Sequence, residues 1–160
     1  MKPRMKPKPL TFLFFLFLNF LFLFSGFVYG EEPEVHREYW SDWNLKKETH
    51  IRDGKKSGLE TLWYEPGTQW FEKNRKREET NYKDGKKDGA SIFWYKDGRK
   101  KLGTHYVNGK LDGPVISWHE NGQKKYETAF KGGKEYGLRT EWSEDGRITF
   151  LGNFVDGKEQ

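Results

Sequence analysis

The chain has 160 residues, with 29 Lys and Arg against 24 Asp and Glu, seven Trp, and no cysteine. Without cysteine there is no disulfide to stabilise a small fold and no N-terminal thiol for a lipid anchor. Four basic and no acidic residues lie in residues 1–30, so the remainder carries 25 positive against 24 negative groups. That balance excludes a general nucleic-acid or anionic-membrane patch.

Residues 1–30 have their own chemistry. Lys2, Arg4, Lys6 and Lys8 make a positive start, Leu10 to Phe24 is apolar except for Thr11 and Asn19, and Ser25 to Gly30 is rich in small residues. This is the pattern of a secretory signal, with the cut expected after Gly30. The alternative is an uncleaved anchor, since Leu10 to Tyr29 is long enough to cross about 30 Å of hydrocarbon. Membrane association is expected only in that case. Export to the periplasm, the cell envelope or the outside follows from either reading, and the rest of the chain has the length of one domain.

Residues 31–52 read as a linker and a degenerate capping hairpin. Thr49-His50-Ile51 before Asp53-Gly54 matches Thr104-His105-Tyr106 before Asn108-Gly109, and Tyr39-Trp40 falls where a strand tryptophan belongs. Residues 53–160 form the repeat domain. The pairs Asp84-Gly85, Asn108-Gly109, Gly132-Gly133 and Asp156-Gly157 recur every 24 residues. Such dipeptides make tight hairpin turns because Gly adopts positive φ freely and Asn or Asp tolerates it. Trp63, Trp94, Trp118 and Trp142 each follow a glycine by five residues, and Asp97-Gly98, Asn121-Gly122 and Asp145-Gly146 supply a second turn per unit. Each unit closes on an aromatic at Tyr82, Tyr106, Phe130 or Phe154, with Thr80, Thr104, Thr128 or Gly152 two residues earlier.

A period-two reading gives two strands per unit. Ala90, Ile92 and Trp94 share one face, as do Pro114, Ile116 and Trp118, whereas the opposite face is mixed. The Trp-bearing face is therefore the expected core, with Trp94, Trp118 and Trp142 in one row. No helical periodicity occurs beyond the N-terminal segment, so the expected fold is all-β: an elongated single-layer antiparallel sheet of tandem 24-residue β-hairpin repeats.

Strands reading Gly-x-x-x-x-Trp, then Asn-Gly or Asp-Gly, then Asp-Gly-Lys-x-x-Gly, resemble the MORN-repeat variants of bacterial proteins, from Leu45 to the C-terminus. The resemblance implies a scaffold or interaction surface and no catalytic residues. Some relatives of this kind are labelled antitoxins.

Residue chemistry agrees with a non-enzymatic reading. His36, His50, His105 and His119 share no ligand spacing, and His119 reads as a variable surface position. The run Asp84-Gly85-Lys86-Lys87-Asp88-Gly89 is turn chemistry with lysines where calcium would want oxygens. No serine sits in a nucleophile elbow and no glycine loop cradles phosphate. Neither a cofactor nor a metal is expected. Tyr64 and Tyr95 point away from the Trp face and are candidates for partner binding.

The first full unit is longer: Asp53 to Asp84 spans 31 residues, so seven are added. Both Trp63 and Trp70 can be aligned as the strand tryptophan, which places the addition around Glu65 to Gln69. Trp70, Phe71 and Tyr64 are then candidates for an aromatic protrusion. The expected function is an exported scaffold binding an envelope or extracellular protein, the alternatives being a glycan or cell-wall binding module and an antitoxin-like inhibitor. At the other end, Thr149 to Val155 reads as an edge strand that the charged tail shields or a partner covers.

Overall fold

In a computed structural model, residues 32–40, 43–67 and 74–160 are described. The expected signal segment, with its cleavage point and its reading as an anchor, lies outside them. Among the described residues the regular structure is all strand, and no helix is long and apolar enough to cross a membrane. The strands are β1 (Glu34–Tyr39), β2 (Leu45–Arg52), β3 (Lys55–Trp63), β4 (Lys76–Lys83), β5 (Lys86–Trp94) and β6 (Lys100–Val107). They continue as β7 (Lys110–Leu111), β8 (Gly113–Trp118), β9 (Lys124–Lys131), β10 (Lys134–Trp142), β11 (Ile148–Val155) and β12 (Lys158–Glu159). They form one open antiparallel sheet in sequence order, with β7 a short piece beside β6. The single-layer sheet of tandem hairpins is as the repeat predicts.

Two kinds of turn alternate along this sheet. At Asp84-Gly85 and Asn108-Gly109 both residues have positive φ, 50° and 82° in the first and 50° and 83° in the second. These are the two-residue turns whose twist matches that of the flanking strands. At Asp97-Gly98 and Asn121-Gly122 only glycine is left-handed. Their side chains cap the turn instead: Asp97 Oδ1 accepts from the Arg99 amide and Asn121 Oδ1 from the Gln123 amide, both at 2.9 Å.

The strand glycine five residues before each tryptophan has a separate task. Gly89 and Gly113 lie at φ of 103° and 120° where the ladder to the preceding strand slips, as between Thr80 and Tyr82. A Cβ there would stand 3.2 Å from the Cβ of Asn81 or His105. The motif glycine is thus a bulge residue that lets two strands close on each other.

The register corrects the expectation about the core. Thr49, Glu60, Thr80, Ser91, Thr104, Val115 and Thr128 line up across the sheet on the face opposite the tryptophans, and Thr80 and Ser91 are fully buried. Trp63, Trp94, Trp118 and Trp142 share the other face and keep part of their surface in solvent, and the buried residues there are the small Thr61 and Thr140. In a single layer no second sheet covers a face, so a small side chain flanked by large ones is sheltered best. Phe150 shows how: its ring leans over Gly152, where a Cβ would lie 2.7 Å from Phe150 Cζ. Phe154 stands 6.2 Å from that ring, and the Arg139 guanidinium lies 5.1 Å from Phe150 and from Tyr126.

Candidate interaction site beside the long hairpin connection

Trp63 pairs with Lys76 just as Trp94 pairs with Lys100 and Trp118 with Lys124. Trp63 is therefore the strand tryptophan of the first full unit, and Trp70 belongs to the connection. The Tyr64 amide closes that connection on Arg75 O at 2.9 Å, as Tyr95 closes on Arg99 O and His119 on Gln123 O. Ten residues lie inside the first closure, 65–74, and three inside the second, 96–98. The added seven sit in this connection, as the period predicts. Trp70 and Phe71 lie outside the described residues.

The residue after each strand tryptophan performs one task in three successive units. Tyr64 Oη donates to Trp94 O at 2.7 Å, Tyr95 Oη donates to Trp118 O at 2.7 Å, and His119 Nε2 donates to Trp142 O at 2.8 Å. A side chain of one unit thus satisfies the backbone of the next and holds the hairpins at their spacing. His119 is not a variable surface position but the third member of this series. Sequence spacing carried the signal, since 64, 95 and 119 align once the insertion is removed, but the shared property is a polar tip at ring length and not a residue type. Ser143, the fourth member, is too short and bonds to Arg147 O within its own turn.

A second series runs beside the first. Arg75 donates to Lys96 O, Arg99 to Glu120 O, and Asn121 to Glu144 O. On the opposite edge of the sheet the amides of Gly85, Gly109 and Gly133 donate to carbonyls of the preceding unit, each at 2.8 Å. Asp88 and Asp112 add carboxylate acceptors there, for the amides of Asn108 and Gly132. Asp88, the residue that invited a calcium reading, is engaged by backbone.

Tyr64 and Tyr95 come together in one cleft, which Lys96, Asp97, Lys101 and Glu120 also line. Lys96 Nζ stands 5.9 Å from the Tyr64 ring centre and Lys101 Nζ 5.4 Å from that of Tyr95. Burial raises the Tyr95 phenol above its ordinary pKa, and the negative charges of Glu120, Asp97 and Glu144 add to the shift. Tyr64 also lines a hollow with Glu65, Gly67 and Arg75 at the base of the long connection. With both hydroxyls engaged, the cleft offers ring faces, two ammonium groups and two carboxylates to a ligand.

The histidines are structural in the same sense. His50 Nδ1 donates to Leu59 O at 2.6 Å and His105 Nδ1 to Asp112 O at 2.7 Å, while His36 pairs with Glu34 at 2.7 Å. Among the described residues no group of three His, Cys, Asp or Glu side chains is placed to hold a metal ion. No protein-family model matches this chain, and no curated protein matches it.

Proposed function

We propose that the protein is an exported, non-enzymatic repeat scaffold of the MORN-like kind, which binds an envelope or extracellular protein at the end of the sheet carrying the long connection. The observation that carries this reading is that the connection with seven extra residues leaves at Tyr64 and returns at Arg75, and that Tyr64 lines one cleft with Tyr95. The other hairpins close the same backbone bond with three residues, so stacking does not require the extra length. Insertions in repeat arrays tend to fall on the binding face. The mixed charges lining the cleft suit a polar protein surface better than an apolar ligand.

The test is a photo-crosslinking pull-down from envelope extract of the native host, with the crosslinker at Lys96. The connection is then shortened by seven residues in a second sample. Loss of the crosslinked partner with an unchanged melting temperature is the expected result. Equal crosslinking by the shortened chain would refute the reading, and capture of isolated wall glycan in place of protein would transfer the site to the carbohydrate alternative.

A further inference from the structure

The tight turns at Asp53-Gly54, Asp84-Gly85, Asn108-Gly109 and Gly132-Gly133 open on one edge of the sheet, and the strand ends there are basic. Arg52 ends β2 and Lys55 starts β3, Lys83 ends β4 and Lys86 starts β5, and Lys131 ends β9 and Lys134 starts β10. Lys110 starts β7 opposite Val107, the one uncharged end in this run. The members of each pair are direct cross-strand partners, so three of the four turns set two cations face to face. Like charges so placed destabilise a hairpin. The whole row lies on the Trp side, because the preceding residues Ile51, Tyr82, Tyr106 and Phe130 alternate in phase with the buried threonines on the other.

The sheet leaves this row largely unneutralised. All seven cations are exposed, and among the described residues only Lys134 forms an ion pair, with Asp156 at 3.9 Å. The lysines one position further in are treated differently: on the opposite face Lys56 pairs with Glu60 at 2.7 Å and Lys87 with Glu78 at 3.9 Å. Of the carboxylates near the row, Asp88 and Asp112 take backbone amides, which leaves Asp53 and Asp84 in the turns. The stems of Lys55, Lys86 and Lys110 rest against the turn glycines Gly85, Gly109 and Gly133 of the next unit, so the ammonium groups are held outward in series. The turns at the other edge, 95–99, 119–123 and 143–147, carry three basic and four acidic residues. Protein surfaces ordinarily intersperse the two signs, whereas here a nearly neutral chain collects its positive charge along one edge.

We infer that this edge binds a linear acidic polysaccharide with a carboxylate on each sugar, laid across the strand ends from Arg52 to Lys134. Charge complementarity and spacing select that ligand. Neighbouring strands lie about 4.8 Å apart, and a sugar unit advances its chain by about one strand spacing, so the carboxylates keep step with the cations. An extended peptide presents side chains to one side every two residues, about 6.6 Å, and falls out of step. Grooves for single-stranded nucleic acid interleave aromatic rings with their cations, and the row positions hold none. A flat lipid surface fits poorly, because a sheet rotates by about 20° per strand and the seven steps from β2 to β10 wind the row through about 140°. The row stands at the opposite edge from the Tyr64–Tyr95 cleft and does not depend on it.

The test is calorimetric titration of the full chain, in mild non-ionic detergent, with polygalacturonate oligomers at low ionic strength and without calcium. The wild type should bind, with an affinity that falls steeply as salt is added. Lys55→Gln/Lys86→Gln/Lys131→Gln, which breaks all three like-charge pairs, should bind about tenfold or more weakly, with a melting temperature no lower than that of the wild type. Lys100→Gln/Lys125→Gln/Arg147→Gln removes the same charge away from this edge and should bind as the wild type does. Absence of binding, equal weakening in both triple variants, or a lowered melting temperature in the first would overturn the inference. Tighter binding of polyglutamate, single-stranded DNA or phosphatidylglycerol vesicles than of polygalacturonate would overturn it too, by assigning the edge to a different polyanion.

Discussion

The two fully buried hydroxyls Thr80 and Ser91 make a sharp test of how the single layer is stabilised. Ser91 Oγ and Thr80 Oγ1 are 2.6 Å apart, and Thr80 Oγ1 donates its proton to Glu78 Oε1 at 2.9 Å. Thr80 has one proton to give, so Ser91 must be the donor between the two hydroxyls. The relay runs Ser91 to Thr80 to Glu78. Its members are not equivalent. Thr80→Val keeps the shape but leaves the Ser91 hydroxyl, which has no exposed surface, without its acceptor. The cost should be about 1 to 3 kcal/mol, the penalty for a buried orphaned polar group. Ser91→Ala leaves Thr80 still bonded to Glu78 and should cost about 0.5 to 1.5 kcal/mol. The double variant removes both hydroxyls together, so it should be no worse than Thr80→Val alone, a favourable coupling of about 1 kcal/mol. Urea unfolding at pH 7 followed by tryptophan fluorescence measures all three. Strictly additive losses would show that the hydroxyls are not coupled and would remove the relay.

Trp118→Ala tests the packing of the tryptophan face. Trp118 is only partly exposed and truncating a buried tryptophan to alanine costs about 3 to 5 kcal/mol, so a loss of about 3 kcal/mol is expected where water can fill the open face; a loss under about 1 kcal/mol would contradict the packing of Trp118 on Gly103. Alkaline titration tests the aromatic flanks. Burial first, then the charges of Glu60 and Glu78, push the Tyr82 phenol up to about 12, and burial with Glu135 does the same for Tyr126. Since an unfolded tyrosine titrates near 10, the folded state holds more protons between about pH 10 and 12, so their stabilisation is complete below 10 and is lost as pH rises through that window. Tyr82→Phe/Tyr126→Phe should flatten the decline of unfolding free energy there; an unchanged slope would refute the assignment.

Local chemistry determined most of the architecture. The 24-residue period, the positive-φ pairs from Asp84-Gly85 to Asp156-Gly157 and the two-residue alternation specify hairpins stacked in order, because turn type and strand period are properties of neighbouring residues. The seven-residue addition was visible as a break in the period. Three things required the tertiary structure. Which face is sheltered depends on how long side chains lean over short neighbours in a sheet with no second layer, and the hydrophobic pattern, which pointed to the Trp face, does not contain that. The choice between Trp63 and Trp70 depends on cross-strand register, settled by the pairing of Trp63 with Lys76. The role of His119 depends on reach: imidazole and phenol have no chemistry in common in an alignment, yet both bring a donor to a carbonyl one unit away. Interactions across units follow from distance in the folded sheet, and distance across a sheet is not written in the spacing along one strand.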